Sequence, residues 1–300
     1  MPHAEERTLG FTAPLRPDNL FGHLVATAVP GVEEWYDGSY RRSLALPGGP
    51  GVVALRPGAD GHIRATLTLT DPADADHATA LARRILDLDA DPVAVDTTLR
   101  ADPALAPLVD AAPGRRVPGS PDPDEFAVRA VLGQQVSTAA ARTHAGRLVR
   151  GHGTPLPGGL AGPGSTLTHL FPGAVALTAV DPDELGMPRT RKRTLLTLVR
   201  ALADGDVVLD PADVPAARAA LGTLPGIGPW TVDSVAMRAL GDPDAFLPSD
   251  LGIRVAAERL GLPDRDRELV ARAEAWRPYR AYATQYLWAA LDHAVNVMPG

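Results

Sequence analysis

Residues Leu224 to Arg254 read LPGIGPWTVDSVAMRALGDPDAFLPSDLGIR, and two kinds of residue in that run could do chemistry. Gly226 and Gly228 flank an isoleucine between two helical patterns, and Asp250 stands just ahead of a third. Glycines in such a turn allow positive φ and close approach of backbone to backbone. Pro229 follows at a first-turn position, where its missing N–H is not needed. The N–H groups of Gly226, Gly228 and Trp230 are then left without helical partners at a positive helix end, an arrangement that binds an anion such as a phosphate. The same turn also serves as a plain helix corner. Ser249 or Asp250 can cap the next helix by accepting its backbone N–H groups. A carboxylate there is also favoured by the helix dipole, and a fixed anion is what a cationic transition state needs beside it.

The rest of the chain must position those groups. Its 300 residues suggest two domains, and a hydrophobic fraction of 45% is enough for real cores. There are no cysteines, which excludes disulfides, thiolate metal sites and cysteine nucleophiles. The net charge of −7 has the wrong sign for a nucleic-acid binder taken as a whole. Net charge is not the local field, however. Arg189, Arg191, Lys192 and Arg193 form the densest basic strip, which reads either as a solvated helix start or as a phosphate contact. The eight histidines are scattered without ligand spacing, so no zinc site is expected. No run is apolar enough to span a membrane and the first residues lack a signal pattern, so the cytoplasm is the expected location.

The first third reads as strands with two helices. NLFGHLVATAV is a helix capped by Asp18 or Asn19, and Asp37-Gly38 is a hairpin turn between VEEWY and SYRRSLAL. GVVALRPG and HIRATLTLT are further strands joined through GADG, and DPADADHATALARRILDLDA is a helix. From residue 98 onward the pattern is helical. Two helices meet at Gly133-Gln134, Gly205 stops a long one, and Ala283, Tyr286, Leu287, Ala290, Leu291 and Ala294 form the stripe of the last. The expected architecture is α+β, with a small antiparallel sheet domain over 1–97 and an all-α domain over 98–300.

LPGIGPWTVDSVAMRALGDPDAFLPSDLGIR resembles the helix-hairpin-helix, Gly/Pro and aspartate signature of the base-excision DNA glycosylase superfamily. GVEEWYDGSYRRSLAL, RAVLGQQVSTAAA, DPDELGMP and AWRPYRAYATQYLW resemble, in the same order, segments of its DNA-3-methyladenine glycosylase II branch. The resemblance covers nearly the whole chain. It implies two helical lobes with a cleft between them, and hydrolysis of the N-glycosidic bond of alkylated bases in double-stranded DNA. It implies that Asp250 is the catalytic aspartate and that Gly226, Gly228, Trp230 and Thr231 belong to the phosphate-gripping hairpin. It further implies a monovalent cation, sodium or potassium, on the carbonyls of Gly222, Leu224 and Gly226. No other cofactor is required, and a monomer is expected.

Members that also cut the strand carry a lysine where this chain has Trp230, so a water-using enzyme without lyase activity is expected. By the same resemblance Trp288 and Trp230 wall the base pocket. Trp288 sits beside the core stripe of its helix, so it reads either as a cleft wall or as core. His23 and Ser234 stand where a relative has pocket phenylalanine and tyrosine, and Gln135 stands at the place of an intercalating leucine. The less aromatic pocket leaves room for oxidised or deaminated bases. A non-catalytic helix-hairpin-helix DNA-binding protein is the other reading, which an anion facing DNA at Asp250 disfavours.

Overall fold

The computed structural model describes residues 2–59 and 61–300. Five strands form one antiparallel sheet: β1 (His3–Leu9), β2 (Glu33–Tyr36), β3 (Ser39–Leu46), β4 (Gly49–Pro57) and β5 (Ile63–Leu69). Their spatial order is β1-β5-β4-β3-β2. In β5, Ile63, Ala65, Leu67 and Leu69 are buried and alternate with half-exposed Arg64, Thr66 and Thr68. That period of two marks a sheet with one face on a core. Asp37 and Gly38 both take positive φ (49° and 68°), which is the two-residue turn expected there. Asp60, in the predicted GADG connection, lies outside the described residues.

Two helices complete this region. α1 (Pro17–Ala26) packs against β2 and β3, and α2 (Ala75–Ile85) lies on the sheet. The cap expected at Asp18 or Asn19 is wrong. Pro17 opens α1 two residues earlier with Arg16 in the cap position, and Asp18 accepts only the adjacent Asn19 N–H (2.7 Å). Proline is favoured there because its fixed φ suits the first turn.

The helical part runs through α3 (Pro92–Arg100), α4 (Ala106–Ala111), α5 (Pro123–Leu132), α6 (Thr138–His152), α7 (Ala174–Leu177), α8 (Arg189–Ala203), α9 (Val214–Gly222), α10 (Pro229–Arg238), α11 (Leu251–Arg259), α12 (Asp266–Ala273) and α13 (Arg280–Ala289). It holds two apolar cores. One gathers α5, α6 and α8, and the other gathers α3, α11, α12 and α13. α10 belongs to both, giving Val235 to the first and Ala236 and Met237 to the second, with Ala239 just past its end also in the first. The division expected after residue 97 falls inside α3, whose Val95 and Leu99 pack in the second helical core. α13 ends at Ala289, before the predicted stripe is complete. Ala294 lies instead in a 3-10 turn (Ala294–Asn296) that folds back onto α1. A Cβ on Gly22 would sit 2.4 Å from the Val297 carbonyl, so only glycine lets the two segments pack. Asn296 Nδ2 donates to the carbonyls of Trp288 and Leu291 (2.9 Å each), which ties the end of α13 to the sheet domain.

Candidate active site and nucleic-acid contact

A cleft of about 350 Å³ opens where the sheet domain meets both helical cores. Asp250 caps α11 at its rim, its Oδ1 accepting the Ile253 N–H at 3.1 Å. Two indoles complete its coordination. Trp288 Nε1 donates to the same oxygen at 2.9 Å, and Trp230 Nε1 donates to Oδ2 at 3.1 Å. Three N–H donors therefore fix the plane of one carboxylate, and hydrogen bonds to an ionised acceptor are the strong ones. Gly252 makes the approach possible. A Cβ there would lie 3.1 Å from both Asp250 Oδ1 and Trp288 Cδ1. Both indoles also line the cleft, as does buried Ser234 of α10.

The hairpin lies between α9 and α10. Gly226 has φ +86°, and a Cβ on it would fall 1.9 Å from Thr194 Oγ1 of α8. Gly228 differs from expectation, with φ −95° and open space where a Cβ would be. Its use is to leave the helix end uncovered, not to adopt a left-handed turn. Among the described residues no backbone acceptor takes the N–H groups of Gly226, Gly228 or Trp230. Thr231 is misassigned to the anion-binding set. It is 3% exposed, its N–H donates to the Gly228 carbonyl (3.0 Å), and its hydroxyl accepts from Gln134 Nε2 (3.0 Å). The Leu224 carbonyl accepts the Ile227 N–H (3.1 Å) and the Gly226 carbonyl accepts Gln134 Nε2 (3.1 Å). Among the described residues no group of three or more His, Cys, Asp or Glu could hold a metal.

Gln135 stands exposed in the turn between α5 and α6, with φ +54°. A non-glycine residue in that region carries strain, which elsewhere collects at functional sites. Its neighbours Gly133 and Val136 line the cleft, so Gln135 sits at the mouth. The basic strip occupies the first turn of α8, and none of its four side chains makes an ion pair among the described residues. Cations at a positive helix end are locally unfavourable, so the strip works against the stability of its own helix.

Of a further wall of the cleft only His23 is named from the sequence, through the resemblance; Arg238 and the groups behind it are not. His23 enters this wall from α1, its ring centroid 6.1 Å from that of Trp288. Arg238, at the end of α10, hydrogen-bonds His23 Nε2, donates from Nε to the Pro118 carbonyl (2.5 Å) and stacks 5.2 Å above Phe126. Burial, then Arg238, Arg129 and His293, push the His23 pKa well below the usual imidazole range. Burial and then Arg129 bring the Arg238 guanidinium down to about 9. Behind it lies an ionic cluster. Arg129 Nη1 contacts Glu125 (2.8 Å) and Glu33 (3.0 Å), and Arg42 contacts Glu125 (2.7 Å). Glu33 also accepts from the Tyr40 hydroxyl (2.5 Å). Burial alone would raise the Glu33 pKa, but Arg129, Arg42 and the Tyr40 bond reverse that and lower it. The cluster joins β2 and β3 to α5 and so locks the sheet domain against the cleft.

Residues 6–122 match the model of the AlkA N-terminal domain. A Mycobacterium tuberculosis protein named probable bifunctional transcriptional activator/DNA repair enzyme AlkA is 53% identical over 288 residues, 96% of this chain. The chain spans 57% of that relative's length. DNA-3-methyladenine glycosylase 2 of Escherichia coli strain K12 is 34% identical over 290 residues, covering 94% of this chain and 96% of that protein. The 3-methyladenine DNA glycosylase of Archaeoglobus fulgidus has the same fold, with a TM-score of 0.79 at 20% identity, over 94% of this chain and 97% of that one. With 34% identity to the Escherichia coli enzyme over nearly the full length of both chains and a matching N-terminal domain, the chain belongs to the DNA-3-methyladenine glycosylase II (AlkA) family.

Proposed function

We propose that the chain is a monofunctional DNA glycosylase that removes alkylated purines, of the 3-methyladenine and 7-methylguanine type, from duplex DNA in base excision repair. The observation that carries this reading is the Asp250 carboxylate, fixed by three N–H donors at the open rim of a tryptophan-walled cleft. A damaged base in the stack is out of reach, so the nucleotide must be flipped into that cleft. Trp288 and Trp230 offer faces to a cationic base, an attraction of about 0.5–2 kcal/mol. Gln135 enters the gap left in the duplex, where an amide can hydrogen-bond the orphaned partner. The free N–H groups of the hairpin grip a phosphate, and the unpaired strip at Arg189, Lys192 and Arg193 adds local positive field to an acidic protein.

The glycosidic C–N bond then breaks with its electron pair going to the base. An N-alkylated purine is already positive, so it leaves neutral. The sugar becomes an oxocarbenium ion facing Asp250. At about 4 Å and an effective dielectric of about 20, one carboxylate supplies about 4 kcal/mol. That is about three orders of magnitude in rate. Asp250 also accepts a proton from the water that adds to the sugar. Lys192, the single lysine in the sequence, lies on α8 outside the cleft. The cleft therefore lacks a lysine amine for a covalent sugar adduct, which supports hydrolysis without strand cleavage. A monovalent cation on the carbonyls of Gly222, Leu224 and Gly226 would stiffen the hairpin, and a monomer suffices for every step. The cytoplasm, where the chromosome lies, is the site of action we assign.

Incubation with methylated DNA, followed by mass spectrometry of the freed bases, tests the reading. Release of 3-methyladenine or 7-methylguanine is expected. Asp250→Asn should slow release by about three orders of magnitude while the fold and DNA binding survive. Undiminished release by that variant would overturn the mechanism.

A further inference from the structure

The wall facing Asp250 carries chemistry that a cationic base does not need. Arg238 has no carboxylate partner among the described residues, although its guanidinium lies in the cleft lining. Its Nη1 meets His23 Nε2. A guanidinium has donors only, so Nε2 must be the acceptor. The ring proton of a neutral His23 then sits on Nδ1. Among the described residues no protein acceptor takes that Nδ1–H, and none takes Arg238 Nη2. The wall therefore offers hydrogen-bond donors to whatever occupies the cleft.

We infer that His23, held in its Nδ1–H tautomer by Arg238, is a specificity-determining residue that donates to the carbonyl of a flipped 6-oxopurine and raises the site's preference for such lesions over 6-aminopurines. This rests on the glycosylase reading above. A 6-oxopurine presents an acceptor at O6, joined by N7 where that nitrogen carries no alkyl group. A 6-aminopurine presents N–H donors where the wall already has donors, and an unmatched pair costs more than a neutral contact. The effect is greatest for a neutral base such as hypoxanthine. When its C1′–N9 bond breaks, the electron pair leaves on the base as negative charge, partly on O6, until water protonates it. Donors aimed at that oxygen strengthen as charge develops, which is the condition for lowering a barrier. A cationic purine leaves neutral and gains less. His23 would act by contact, and Arg238 is the positioning residue behind it.

Three duplexes separate the possibilities, each with one lesion: hypoxanthine, 7-methylguanine or 3-methyladenine. Single-turnover release is measured for the full chain, for His23→Phe, and for Arg238→Met and Arg238→Lys. His23→Phe should lower the ratio of hypoxanthine to 3-methyladenine release by about tenfold or more, with 7-methylguanine between them. Arg238→Met should move the ratio the same way, and Arg238→Lys, which also donates, should restore part of it. Nitrogen-15 NMR of the unmodified protein should show the His23 proton on Nδ1, and Arg238→Met should lose that bias. An equal fall for all three lesions, or an Nε2–H tautomer in the unmodified protein, would overturn the inference. Failure of the unmodified protein to release any of the three would instead overturn the glycosylase reading.

Discussion

The two walls of the cleft are built in opposite ways. The Asp250 wall comes mostly from one continuous run, with the hairpin, Trp230 and Asp250 all between residues 224 and 254 and only Trp288 joining from α13. It is anionic, and its order is local: a cap, a glycine turn and two indole bonds. The His23 wall draws on α1, α5, the end of α10 and the loop at Pro118. It is cationic, and its order is tertiary, with a buried ionic cluster behind it. On the proposed reading, the group that assists bond breaking is placed by short-range rules, whereas selection of the base depends on how two domains dock.

That contrast can be broken most sharply from the tertiary side. Glu33→Ala leaves Arg129 and Arg42 buried without one of their carboxylates, and removal of one partner from such a cluster costs about 3–5 kcal/mol. Chemical denaturation should show that loss, and release should fall with the folded fraction. Equal stability of variant and parent would show that the docking does not depend on the cluster. On the local side, Trp288→Phe keeps an aromatic face but removes one donor to Asp250. A hydrogen bond to an ionised group is worth about 1.5–3 kcal/mol, so the single-turnover rate should drop by about tenfold or more with little change in melting temperature. A rate within twofold of the parent would make the indole a stacking surface only.

The smallest effects divide the two hairpin glycines. Gly226→Ala must hold a Cβ at φ +86° against Thr194, so it should cost about 1–2 kcal/mol, or more if α8 cannot shift. Gly228→Ala meets neither obstacle and should change stability by less than about 0.5 kcal/mol. Thermal melts of the pair decide this. If both prove equally destabilising, close approach is not what Gly226 supplies.

The sequence made the sheet, the Asp37-Gly38 turn, the long helices and the Asp250 cap readable because each depends on residues within a few positions of one another. The same locality explains the misses. Gly228 carries the same residue type as Gly226, but composition does not reveal which of two glycines bears positive φ. Thr231 lies in the hairpin run, yet its place in the first turn of α10 buries it. Arg238 carries no signal of its own in the sequence, since a basic last turn suits any helix dipole. Only the arrival of α1 and Pro118 makes it part of the cleft. His23 was named through resemblance, but its tautomer follows from Arg238, more than two hundred positions along the chain (|i−j| = 215). The return of Ala294–Asn296 onto α1 left no periodic signal at all.

His23 reaches the cleft from α1, a helix of the sheet domain, while Asp250 belongs to the helical part. Substitution of the first leaves the α11 cap and the hairpin as they are and reaches the carboxylate only through its neighbour Trp288. If the proposed activity holds, a lineage meeting new kinds of DNA damage could retune its substrate range one α1 side chain at a time while the aspartate and its hairpin stay in place.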